Sequence, residues 1–195
     1  VNTRDCIEYE DDCREEAMAL LDKSDNIIGA MDNTIRDFLH HFKPDEPPQQ
    51  FSILSCLKSV LDKLPPDYQR LTIDKQLYDD LMIVGYSSEL EQAFMHIIRN
   101  VYEQMRQKDM PSAELSLRAE QIEGGLSITF EDNLAGVGDS ELEKLTEPHY
   151  TNKADSAGMG LYFVKMLIEK QMNGQLSISN ARNGLSVNLT IFSER

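Results

Sequence analysis

With 195 residues, 41% of them hydrophobic, the chain suits one ordinary domain plus an appendage and can bury a real core, which excludes a disordered segment. Acidic residues outnumber basic ones 34 to 19, and the formal charge of -15 excludes a nucleic-acid backbone as the main partner. Three cysteines (Cys6, Cys13, Cys56) without metal-ligand spacing fit a reducing, cytoplasmic setting. No apolar run reaches the roughly 18 residues of a membrane span, and no signal-peptide pattern is read at the start. Val1 in place of Met fits a segment of a longer protein, so any membrane attachment is expected through segments outside this chain.

The first twelve residues are acidic and aperiodic. From Cys13 to Phe42 the pattern is helical: Leu21, Ile28, Ile35 and Phe42 recur every seven residues, with Ala17, Met31 and Phe38 offset. Leu20, Ile27 and Leu39 widen the stripe beyond a two-stranded seam, which suggests one helix of a four-helix bundle; an ordinary core-facing helix is the other reading. Lys43-Pro-Asp-Glu-Pro-Pro48 stops it and acts as a linker, dividing the chain into 1–45 and 46–195.

Beyond the linker, Phe51–Leu64 reads as a helix closed by Pro65-Pro66, and Leu71–Asp74 and Leu81–Gly85 as short strands. A long helix is expected from Ser87 to Arg106, with Ser88 and Glu91 as a capping box. Leu90, Phe94, Ile97, Ile98, Val101 and Met105 form its buried stripe. Its other face aligns His96, Asn100 and Glu103, either a solvated polar face or a functional one; Asn100 is the odd member, because asparagine is a mediocre helix former.

Two strands follow, Ala113–Ala119 and Leu126–Phe130. The second runs into Asp132-Asn-Leu-Ala-Gly136-Val-Gly138, a carboxylate at a strand end before a glycine turn, which suits a binding residue or plain loop material. Residues 141–146 fit one helical turn, and Pro148–Ala157, poor in large apolar residues, reads as a mobile loop. Gly158-Met-Gly160 opens a helix with Leu161, Val164, Leu167 and Ile168 on one face. A glycine loop at a helix start is an anion site or a simple turn. Gly174–Ser179 and Gly184–Phe192 alternate with period two and form a terminal hairpin around Ala181–Gly184. The fold class that follows is an α/β (α+β) two-layer sandwich: a mixed sheet of about five to seven strands with helices on one face.

Asn100 on a helix, then Asp132 to Gly136, Pro148 to Lys153, and Gly158-Met-Gly160-Leu161 form an ordered set. In this order and spacing the set resembles the ATP-binding catalytic domain of sensor histidine kinases, within the wider GHKL group. Leu90–Glu103 is similar to that family's asparagine box, Glu147–Lys153 to its Pro-Phe-Phe-Thr-Thr-Lys segment, and Cys13–Phe42 to the second helix of the dimerisation hairpin.

The resemblance implies ATP and Mg²⁺ as cofactors. It implies that Asn100 offers its amide oxygen to the metal and that Glu103 orients a metal-bound water. Asp132 would accept the adenine amine, and Gly136 would let the backbone pass close to the base. Lys153, Gly158, Gly160 and Leu161 would hold the triphosphate, and Asn100, Glu103 and Lys153 are its catalytic set. It further implies transfer of the γ-phosphoryl group to a histidine and onward to a response-regulator receiver domain, and a homodimer through the N-terminal hairpin. Departures from the pattern are His96 for the first asparagine of the box, Leu134 for a glycine, Ser156 for a glycine and His149 for a phenylalanine. They bear on turnover, and a nucleotide-binding interaction module without phosphotransfer is the alternative. His96 is expected either at the mouth of the phosphate site or on the surface. Neither His40 nor His41 has the acidic follower of the family's phosphoacceptor, so the acceptor helix is expected upstream of Val1.

Overall fold

A computed structural model of the protein describes residues 47–77, 81–151 and 158–192, together with the single positions Met18, Leu21 and Ser24. Those three positions are helical; the remainder of the helix read over Cys13–Phe42, His40, His41, Lys153 and Ser156 lie outside the described residues. The described residues from Pro47 onward belong to one compact unit.

Its main sheet is built from β2 (Leu71–Leu77), β4 (Ala113–Ile122), β5 (Gly125–Asp132), β6 (Gly174–Asn180) and β7 (Leu185–Phe192). The order is β2-β4-β5-β7-β6, with β2 parallel to β4 and every other pair antiparallel. Two-residue alternation puts Ala113, Leu115, Leu117 and Ala119 of β4 on the buried face. Leu126, Ile128 and Phe130 of β5 and Leu185, Val187, Leu189 and Ile191 of β7 join them. The opposite face is polar: the Asn188 amide donates across the sheet to Ser127 Oγ at 2.7 Å and Thr129 Oγ1 at 2.8 Å.

One face therefore needs a cover, and the helices supply it. Helix α1 (Ile53–Lys63) buries Ile53, Cys56, Leu57 and Val60, and α2 (Ser87–Gln107) buries the stripe from Leu90 to Met105. Phe94 of α2 meets Phe130 of β5 edge to face, with ring centroids 5.1 Å apart. Burial of each such ring stabilises the fold by about 1.5–3 kcal/mol, so this contact fixes the helix on the sheet. Burial pushes the Cys56 thiol up to about 12, which leaves it an inert apolar group in that layer.

Three sequence expectations need correction. Phe51 does not begin a helix: Gln49–Ser52 is a strand, β1, and the helix starts at Ile53 with the Ser52 hydroxyl accepting from the Ser55 amide. The strand β3 (Met82–Gly85) pairs antiparallel with β1 in a separate two-stranded ribbon, not in the main sheet. No capping box forms at α2, where Tyr86 is the cap residue. Ser88 Oγ instead bonds Glu89 Oε2 at 2.6 Å, while Glu91 is drawn to Lys63 Nζ of α1 at 2.5 Å.

The remaining helical pieces are α3 (Asp139–Leu142), which runs into a 3₁₀ turn over Glu143–Thr146, and α4 (Gly160–Met166). Helix α4 widens into a π turn over Leu167–Gln171, closed by the Met172 amide donating to Leu167 O at 3.1 Å. That wide turn seats buried Met172 against Gly85, joining the ribbon to the sheet layer. No described helix is long and apolar enough to cross a membrane.

Candidate functional site

Helix α2 presents two faces because its sequence alternates between them. Leu90, Phe94, Ile97, Ile98, Val101 and Met105 are buried, while His96, Asn100 and Glu103 share a half-buried line. At one end of that line the His96 ring stacks on Phe163 of α4, with centroids 5.6 Å apart. His96 is thus half-buried and packed on the helix that follows the glycine pair. Glu103 Oε1 accepts from Arg99 Nε at 2.8 Å, one turn back. Beyond Glu103, Lys108 at the end of α2 donates through its ammonium to the Leu134 carbonyl in the loop after β5. Asn100 and Glu103 accordingly lie on α2 between its contact with α4 and its contact with the β5 loop.

The end of β5 is held more tightly than the sequence suggests. Asp132 Oδ1 accepts from the amides of Leu134 at 2.8 Å and Leu185 at 3.4 Å, the second from the start of β7. Burial raises the Asp132 carboxyl above the usual aspartate value, and the two amides and the Lys108 ammonium pull the other way. Gly184 lies directly against this group, so that a Cβ there would overlap the Asp132 carbonyl and carboxylate. Leu134 stands where the related pattern has glycine, and it is accommodated by burial in the core. The left-handed turn this loop needs falls instead on Ala135, at φ 71°. The loop is then stitched to the β6–β7 turn. Ala135 N donates to Asn183 O at 2.8 Å, and Val137 N to Asn180 Oδ1 at 3.0 Å, with Asn180 Nδ2 returning to Val137 O at 2.9 Å.

The glycine pair before α4 divides its tasks. Gly158 adopts φ 65°, and a Cβ there would come within 2.8 Å of the His149–Tyr150 backbone, so only glycine fits. Gly160 has open space where a Cβ would go. Leu161 buries its side chain in the core, which leaves its backbone as the part available at the site. Tyr150 is tied back by its hydroxyl to Glu141 Oε1 at 3.1 Å, and the other oxygen of Glu141 accepts from Gly138 N at 3.1 Å. Lys153 lies outside the described residues.

The sequence singled out Asn100, Glu103, Asp132, Gly136, Gly158, Gly160 and Leu161; it missed Lys108, Asn180 and Gly184. The only signal for Gly184 was its place in a hairpin turn. Lys108 and Asn180 carry none, because their roles come from tertiary contacts. Among the described residues, no group of three or more His, Cys, Asp or Glu side chains is placed to hold a metal ion by itself. Any cation here would depend on an amide oxygen and on a ligand's own oxygens.

Residues 85–195 match the family described as histidine kinase-, DNA gyrase B-, and HSP90-like ATPase. Sporulation kinase B of Bacillus subtilis (strain 168) is 27% identical over 127 residues, 64% of this chain and 28% of that protein. The chain thus spans about a quarter of the length of the curated relatives it matches. Among solved structures, the catalytic domain of histidine kinase ThkA superposes with a TM-score of 0.68 at 15% identity, covering 76% of this chain and 97% of that one. ThkA in complex with the response regulator protein TrrA gives 0.68 at 14% identity, covering 87% of this chain and 49% of that one. These likenesses establish the fold: a five-stranded mixed sheet under helices.

Proposed function

Because this chain belongs to the histidine kinase-, DNA gyrase B-, and HSP90-like ATPase family, whose membership implies nucleotide binding, we propose that it is the catalytic portion of a sensor histidine kinase. It transfers the γ-phosphoryl group of ATP to a histidine, from which the group passes to a receiver-domain aspartate. The observation that carries this reading is the presence of a half-buried strand-end carboxylate, Asp132, together with a helix face bearing Asn100 and Glu103. The one recognises a base amine and the other suits the oxygen-rich environment of a triphosphate and its cation.

The residue roles follow from that division. With one oxygen of Asp132 engaged by two backbone amides, its other oxygen accepts the adenine amine. Asn100 holds Mg²⁺ through its amide oxygen, with Glu103 beside it to orient a water; hard oxygen donors suit that cation, which supplies charge neutralisation at the phosphates. Gly158 and Gly160, with the backbone of Leu161 and the ammonium of Lys153, receive the phosphate chain. Catalysis is then largely positioning and electrostatics, the mode expected of phosphoryl transfer. Residues 1–45 act as part of a dimerisation hairpin and 46–195 as the nucleotide domain, in a cytoplasmic setting. The kinase name of the curated relative and the response regulator held by the ThkA chain support the same partner class here. A module without phosphotransfer is not favoured.

The test supplies Mg·ATP and a phosphoacceptor hairpin in trans, followed by an acid-labile phosphohistidine assay. We expect label on the supplied hairpin and none on His40, His41, His96 or His149, and loss of that label in Asn100→Ala. ATP binding without any transfer would overturn the kinase reading, and stoichiometric label on His40 or His41 would relocate the acceptor.

A further inference from the structure

The middle of the loop Leu134–Gly138 has few means of holding itself in place. It lies outside regular structure, Ala135 sits in a left-handed conformation, and Ala135 and Gly136 are exposed. Core burial of Leu134 and the Glu141 side chain on Gly138 hold its two ends, and at Val137 between them one side chain from β6 holds the backbone. Asn180 closes β6, and its amide engages both backbone groups of Val137: the oxygen accepts from Val137 N at 3.0 Å and the nitrogen donates to Val137 O at 2.9 Å. A primary amide is the one neutral side chain that can mirror a peptide unit with an adjacent donor and acceptor. The fit also explains Gly136, because a Cβ there would run into the Asn180 oxygen.

We infer that Asn180 is a positioning residue for base recognition. By clamping Val137 it fixes where the loop beside Asp132 runs, and so fixes the backbone wall against which the base stacks and the direction from which its amine meets Asp132. This inference rests on the reading of Asp132 as the base acceptor. Asn180 does not reach Asp132 itself; the two are linked through the loop and through the turn, where Ala135 N meets Asn183 O and Leu185 N meets Asp132 Oδ1. The clamp is exposed, so its contribution to global stability is small compared with its contribution to local order.

That separation gives the test a readout that a merely structural role would not move. Calorimetric titration of the full chain with ATP and with GTP, which presents a carbonyl where adenine has its amine, measures base discrimination. Asn180→Ala should keep the melting temperature of the free protein within a few degrees while the ATP Kd rises by about tenfold. The GTP Kd should change little, so that the preference for ATP shrinks. An unchanged ATP Kd, or equal losses for both nucleotides, would overturn the inference. Should Asn180→Ala fail to fold, Asn180→Asp keeps the arm that accepts from Val137 N and sets a second oxygen against Val137 O. It should show the same selective loss on a smaller scale, and equal losses there would count against the clamp in the same way. A parent chain that binds no adenine nucleotide would overturn the functional reading and this inference with it. A parent that binds ATP beside an Asn180→Ala variant that binds it equally well would overturn the inference alone.

Discussion

The two ends of the candidate site are built on opposite plans. At the strand end the protein itself holds the groups around Asp132: two amides on one carboxylate oxygen, Lys108 on the Leu134 carbonyl, and Asn180 and Asn183 on the loop beyond. At the glycine end the chain leaves room, with open space beside Gly160 and Gly158 serving chiefly to let two backbone segments pass. The difference matches what each end would receive. A flat base with a fixed pattern of donors is best met by a pre-organised wall, whereas a charged, flexible phosphate chain needs access to backbone N–H groups and to a cation.

The most damaging way to break the comparison is to disturb the wall from behind. Gly184 is packed directly on Asp132, and any Cβ overlaps both its carbonyl and its carboxylate. Since the obstruction is backbone, it cannot swing aside as a flexible side chain would. Gly184→Ala should cost on the order of 3 kcal/mol of stability, seen as a lowered denaturant midpoint, and should abolish measurable ATP binding. A variant with parental stability would mean that the β6–β7 turn yields more easily than its hydrogen bonds imply.

A milder change separates the stability of the wall from its function. Burial raises the Asp132 carboxyl, so its ionised form opposes folding. The penalty is absent below the unfolded value of an aspartate, grows as pH rises from there to the raised folded value, and is complete above it. Asn at this position keeps an oxygen for the Leu134 and Leu185 amides but offers a donor where a base amine needs an acceptor. Asp132→Asn should therefore melt higher than the parent at pH 7, with the gap closing as pH falls through the raised carboxyl pKa. It should weaken ATP binding by about tenfold or more, since a hydrogen bond to a charged acceptor contributes roughly 1.5–3 kcal/mol. Binding at parental affinity would remove Asp132 from base recognition.

The same contrast shows what could be read from the sequence. Asn100, Asp132, Gly158 and Gly160 were legible because each is a residue type out of place in its local pattern: an amide in mid-helix, a carboxylate at a strand end, glycines before an apolar stripe. The alternation of β4, β5 and β7 was legible because one buried face imposes period two. What could not be read depends on partners far along the chain. Gln49–Ser52 is a strand because of its pairing with Met82–Gly85. Glu91 was expected to cap its own helix, but Lys63 of α1 claims it. Asn180 and Gly184 reach the Asp132 loop only because β7 pairs with β5 in a register that sets Ser186 opposite Glu131, and a single sequence does not display that register.

The smallest structural effect is expected at the open end, where it makes the sharpest test of the contrast. Gly160 begins α4, and a Cβ there would meet nothing within 4 Å, so Gly160→Ala introduces no clash. Alanine also has fewer unfolded conformations to give up and a better helix propensity, so the free protein should be unchanged or more stable by about 0.4–1 kcal/mol. If the space beside Gly160 is where the phosphate chain approaches the backbone, the added methyl occupies part of it. ATP affinity should then fall by several-fold, while melting of the free protein stays level or rises. Calorimetry with ATP, paired with a thermal melt of the free chain, reads both quantities on one preparation. Affinity that holds at the parental level would show that the phosphates run elsewhere, and would leave Gly160 as an ordinary helix start.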